Sequence, residues 1–245
     1  MTHSTPAWIA GRGPRRLLAT LAALAALVLC AAPATTAAPD GRILIQGPDS
    51  SSHLRLSVSG SLLTVHGLMA PGASAGCRFA GITIAVCPLA GISSVEVDMG
   101  PSGDKVEVLD KLPVPLTTFL GKGSDKLIGN GEADTCFPQG TRRNRCIGGP
   151  GNDVCITGPR NSDCVGGLGD DYCKADTGSD GCWGGPGNDV CVMGAGHDGC
   201  HGDSGNDRLY GGPSSDQLYG GTGYDYCDGG PGWGKSHGCE AGPRH

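Results

Sequence analysis

The sequence predicts an all-β solenoid of short repeats, and three observations predict it. Aspartates recur every nine residues from Asp171 through Asp180, Asp189, Asp198, Asp207 and Asp216 to Asp225. Cysteines keep the same step at Cys146, Cys155, Cys164, Cys173, Cys182, Cys191 and Cys200, after which Leu209, Leu218 and Cys227 fill the slot. Glycine supplies 45 of 245 residues and aromatic residues only 4%, so there is little bulky side-chain volume to bury. A short fixed period means repeats that stack on their neighbours, none of them stable alone.

The chain opens with Arg12, Arg15 and Arg16, an apolar run from Leu17 to about Ala32, and then small residues. That is the layout of an export signal. Ala32-Pro33-Ala34 offers an A-x-A site, and residues 1–38 are assigned to the signal, with cleavage between about 34 and 38. The run is too short and too alanine-rich for a membrane anchor, and no later segment could span a bilayer. Arg15-Arg16 leaves Sec or twin-arginine export open. Loss of Cys30 with the signal leaves 12 of 13 cysteines, an even number in an oxidising compartment, so disulfides are expected throughout.

Residues 39–120 read as a β cap covering the open end of the solenoid. "RILIQGPDSSSHLRLSVSG", "GITIAV" and "SSVEVDMG" alternate apolar and polar residues between Gly, Ser and Pro, as strands do. Cys77 and Cys87 flank "RFAGITIAV", which predicts a local bridge clipping a hairpin. "PSGDKVEVLD" with Asp104 and "LGKGSDKLIG" with Asp125 look like degenerate repeats.

Residues 121–245 hold the repeats and a C-terminal disulfide clip, Cys227 with Cys239. Each repeat offers glycines for a loop with positive φ and exposed carbonyls, an Asp with a hard anionic oxygen, and a three-residue strand that points one small apolar side chain inward. Between Asp134 and Asp153 the step is nineteen, so one repeat lacks its acid and carries an insertion around "TRRNRC". Asp163 is read as the next acid.

Here the sequence resembles the RTX family of calcium-binding nonapeptide repeats, GGxGxDxUx. The match is complete through the Asp at Gly148, Gly149, Gly151 and Asp153; at Gly166, Gly167, Gly169 and Asp171; at Gly184, Gly185, Gly187 and Asp189; and at Gly220, Gly221, Gly223 and Asp225. It is partial at Asp207, where Asp203 and Ser204 intrude, and at Asp216, where Ser214 replaces a glycine. The resemblance implies a parallel β-roll with two nonapeptides per turn, and Ca²⁺ held between successive loops by these carboxylates and carbonyls. The family's bulky apolar residue is here mostly Cys. On the implied geometry Cys136 to Cys200 pair either across the thin roll or along one strand stack, with pairing across the roll favoured. The implied turn also separates two edges. Asp153, Asp171, Asp189, Asp207 and Asp225 follow well-formed loops, whereas Asp163, Asp180, Asp198 and Asp216 follow loops that lack at least one glycine.

From residue 121 onward 17 acidic residues face 10 basic ones, a balance that suits cations and repels nucleic acid and anionic membranes. No CxxC or HExxH spacing supports zinc, and "HDGCHGD" puts His197 and His201 in repeat loops. "GDSGND" resembles a protease stretch, but Ser204 lies inside the ninefold register. No glycine-rich stretch opens a helix, as a phosphate loop must. The expectation is a secreted, non-enzymatic calcium-binding protein with an unidentified protein or cell-surface partner. The competing reading is an accessory module of a secreted hydrolase or toxin, or a cell-surface adhesin.

Overall fold

The computed structural model describes residues 41–67, 69, 77–79, 83–140, 142–232 and 234–242, so the expected export signal lies outside the described residues. Among them there is no helix, and hence none long and apolar enough to cross a membrane.

Where a three-residue strand buries only its middle side chain, two such strands can face each other closely, and the chain does this repeatedly. Val154–Ile156 pairs in parallel with Tyr172–Lys174, followed by Val190–Val192, Arg208–Tyr210 and Tyr226–Asp228. Opposite them stack Arg145–Pro150, Asp163–Leu168, Gly181–Pro186, Gly199–Ser204, Gln217–Thr222 and Lys235–His237, also parallel. Cys155 registers with Cys173 and Cys164 with Cys182, so one turn takes eighteen residues, two nonapeptides. The result is the expected parallel β-roll, with sheets of nine and twelve strands.

The parallel ladders run on toward the N-terminus. Arg42–Gln46, Ser94–Asp98 and Leu116–Gly121 extend the smaller sheet, while His53–Ser59, Lys105–Val108 and Lys126–Ile128 extend the larger. Antiparallel pairing is confined to a meander of His53–Ser59, Leu62–His66, Ile84–Pro88 and Arg78–Phe79 at the end of the larger sheet. Gly60 turns its first hairpin at φ 60°, a conformation glycine adopts without steric cost.

The core changes composition along the axis. Leu54, Leu56, Leu63, Val65, Val95 and Val97 fill the first coils, cysteines fill the middle, and Leu209 and Leu218 fill the far end. Cys136–Cys146, Cys164–Cys173 and Cys182–Cys191 cross the roll with Cα separations of 6.3, 6.2 and 6.4 Å, inside the range a disulfide spans. Cys77–Cys87 and Cys227–Cys239 form the two expected clips.

The expectation that every cysteine is bonded needs correction, because Cys155 and Cys200 are buried free thiols. Each core cysteine from Cys146 to Cys191 has one cysteine across the roll before it and one after. With Cys146 bonded to Cys136 and Cys164 bonded to Cys173, both neighbours of Cys155 are taken.

Candidate metal centre

The ladder aspartates turn inward and are almost fully buried, from Asp153 at 5% exposure to Asp225 at 0%. On the first edge Oδ1 of each Asp accepts the backbone N–H of the Asp one turn earlier. Asp134 donates to Asp153 at 2.6 Å, Asp153 to Asp171, Asp171 to Asp189 and Asp189 to Asp207 each at 2.7 Å, and Asp207 to Asp225 at 2.9 Å. Glu240 ends this ladder by accepting the N–H of Asp225 at 2.8 Å. The second edge runs Asp104, Asp125, Asn144, then Ser162, Asp180, Asp198 and Asp216 by the same bond.

The other carboxylate oxygen tells more. Oδ2 of each ladder aspartate is buried and has no hydrogen-bond partner among the described residues. A buried carboxylate oxygen without a partner is costly, so the site fits an occupant that brings positive charge. Burial pushes the carboxyls of Asp134 and Asp171 up to about 7 and those of Asp125, Asp153, Asp180, Asp189 and Asp198 up to about 6. It raises Asp104, Asp207 and Asp216 in the same direction. For Asp134 the charge of Asp153 adds to the rise.

The glycines of the full motif answer to different neighbours. A Cβ on Gly148, Gly166, Gly184 or Gly220 would strike Oδ2 of the Asp in its own loop. Gly149, Gly151, Gly167, Gly169, Gly185, Gly187, Gly221 and Gly223 all have positive φ. A Cβ on Gly167, Gly185 or Gly221 would meet the backbone carbonyl one turn earlier, that of Gly149, Gly167 or Asp203. First glycines therefore make room for a carboxylate, and the later ones let carbonyls stack. In the partial loops the strain stays visible: Asp203 at φ 74° and Ser214 at φ 106° are the non-glycine residues with positive φ among the described residues.

Sixteen of the eighteen residues expected to hold metal belong to four full loops on the first edge, Asp207 completes that edge, and Asp216 stands on the other. The second edge differs at its first slot, where Thr157, Ala175 and Met193 carry side chains packed inward and only Gly211 lies under its acid, Asp216.

Asp163 is corrected. It sits on a strand, its carboxylate 2.8 Å from Arg143, and the ladder position is Ser162. Ser162 lies nine residues from both Asp153 and Asp171, so the period identifies it, but an adjacent acid hides it. The repeat without an acid places Asn144 in the ladder, ten residues after Asp134, which locates the one-residue insertion. An outer ladder that the repeat signature does not announce runs along the first edge. Asn152, Asp170, Asn188 and Asn206 accept the N–H of Asp170, Asn188, Asn206 and Tyr224 at 3.0, 2.7, 2.9 and 2.8 Å, running opposite in sense to the Asp ladder.

A parallel roll with one edge of stacked glycine loops, each closing on a buried aspartate, has the form of a cation-binding β-roll. Residues 165–199 and 201–232 match the model of the RTX calcium-binding nonapeptide repeat, in four copies. This segment is an RTX repeat region, and such repeats bind Ca²⁺. A comparison with curated proteins gives no match.

Proposed function

We propose that the chain is a secreted, non-enzymatic protein whose roll takes Ca²⁺ between successive loops. Asp153, Asp171, Asp189, Asp207 and Asp225 would hold the ions together with loop carbonyls, giving about four sites in the gaps between five stacked loops. The observation that carries this reading is the row of buried Oδ2 atoms without partners. Bound Ca²⁺ supplies the positive charge that lets stacked carboxylates stay ionised. Export is supported by the basic, apolar and small-residue order of residues 1–38. A non-enzymatic role is supported by Ser204 of the protease-like stretch, which is held in a strand and registers with Pro186 and Thr222.

Calcium titration of the mature, oxidised chain, followed by circular dichroism and thermal melting, tests the reading. Calcium should raise the melting point, with affinities of about 10⁻⁴ to 10⁻³ M as in extracellular modules. Identical spectra and melting points in chelator and in calcium would overturn it. Hydrolase assays with and without calcium should stay silent, and the chain should be recovered from culture medium.

A further inference from the structure

The eight core cysteines form one ladder that alternates between the two sheets: Cys136, Cys146, Cys155, Cys164, Cys173, Cys182, Cys191, Cys200. Two bridges, Cys164–Cys173 and Cys182–Cys191, stand between the free thiols. Shifting both bridges by one repeat would pair all the cysteines, giving Cys155–Cys164, Cys173–Cys182 and Cys191–Cys200 beside an unchanged Cys136–Cys146.

Three observations make that shift a matter of local steps. Cys155 lines one small cavity together with both Cys164 and Cys173. The sulfurs of Cys173, Cys182 and Cys191 lie within 4.8 Å of one another although they belong to two different bridges. Cys200 follows Cys191 by nine residues, the spacing of the bonded pair Cys182–Cys191, and registers beside Cys182. We propose that this ladder is a thiol–disulfide relay that makes Cys155 and Cys200, separated by two bridges, act as a single two-electron dithiol toward small organic disulfides.

The steps balance. The Cys155 thiolate attacks an organic disulfide RSSR, forms a mixed disulfide and releases RS⁻. The Cys200 thiolate attacks Cys191 and frees Cys182. Cys182 attacks Cys173 and frees Cys164, and Cys164 attacks the mixed disulfide at Cys155 and expels the second RS⁻. Protons from the two thiols end on two RSH, and the chain gains one disulfide. Cys155 is the entry point because it lines the small cavity together with Cys164, the thiol that must resolve its mixed disulfide. Burial holds both thiols well above the ordinary thiol range, so exchange in the folded roll is slow.

The test uses the mature chain in calcium with oxidised glutathione as the probe, followed by acid quench, intact mass measurement and mapping of non-reduced peptides. The starting protein should show thiols at Cys155 and Cys200. The oxidised end product should carry no glutathione and no thiol, and it should contain the three shifted bridges. Cys200→Ser should stall with glutathione fixed on Cys155, and Cys155→Ser should take up none and keep its Cys200 thiol. The idea fails if the wild-type protein retains Cys164–Cys173 and Cys182–Cys191 after oxidation, whether Cys155 stays a thiol or holds glutathione permanently. Should a serine variant not fold, the wild-type bridge map alone decides.

Discussion

Gly185 and Gly199 lie on consecutive coils of one sheet, yet they have unlike surroundings. Gly185 has φ 112° and an added Cβ there would strike the carbonyl oxygen of Gly167, whereas one on Gly199 would meet nothing within 4 Å. Gly185→Ala should therefore destabilise by about 2 kcal/mol or more, combining a forbidden φ with a carbonyl clash. Gly199→Ala should be neutral or stabilising by up to about 1 kcal/mol, since it narrows only the unfolded chain. Thermal melts of the two variants in calcium check this, and equal losses would refute it. The aspartates divide in a similar way. Asp189 and Asp198 each accept one backbone N–H and donate one to the next rung. Either alanine substitution thus removes a buried bond. They differ in the first slot of the loop, Gly184 under Asp189 and Met193 before Asp198. Asp189→Ala should abolish binding at the two gaps it adjoins, while Asp198→Ala should leave calcium stoichiometry nearly intact. Titration calorimetry reads the difference directly.

At the scale of an element, burial raises the ladder carboxyls, to about 7 at Asp134 and Asp171 and to about 6 at Asp125, Asp153, Asp180, Asp189 and Asp198. Between roughly pH 4 and 7 the folded ladder holds more protons than the unfolded chain, so metal-free stability is highest on the acid side and is lost as pH rises through the folded values. In chelator the melting point should be lower at about pH 7.5 than at about pH 5, and calcium should reverse that order because the ion replaces the protons. A metal-free melting point that does not vary with pH would show that the carboxylates are not held as described. Asn144→Asp probes the same balance at a rung whose Oδ1 already accepts the N–H of Asp125 at 2.9 Å. It should lower metal-free stability more at about pH 7.5 than at about pH 5, and calcium should not restore that loss because the rung stands on the second edge, as paired melts would show. The strand, the loop and the ninefold step were legible because each repeat restates them, and Asp171 to Asp225 fix the phase. The phase was lost near "TRRNRC", where one extra residue and the neighbouring pair Ser162-Asp163 let an acid one place off the ladder pass for a rung. Bridge register was illegible for another reason. Every cysteine between Cys146 and Cys191 has two across-roll partners at nearly equal spacing, and local sequence does not distinguish them.

Across the whole molecule the same backbone repeat is held together by different means. The first coils bury Leu54, Leu56, Leu63, Val65, Val95 and Val97, whereas the middle coils bury sulfur bridges between loops of ladder carboxylates. In a solenoid each repeat touches only its neighbours, so stability is a sum of local terms and different stretches can open separately. Apolar burial persists without metal or oxidant, at about 25 cal/mol per Å². The cysteine coils keep little of that term once reduced, and their carboxylates repel one another once calcium is removed. Reductant and chelator together should therefore open residues 135–228 while residues 42–128 stay protected, and either agent alone should open much less. Hydrogen exchange followed by mass spectrometry resolves the two stretches within one sample. Uniform exchange along the chain would mean that the apolar coils cannot stand without the roll they begin, and that the cysteine coils are as integral to them as the N-terminal meander.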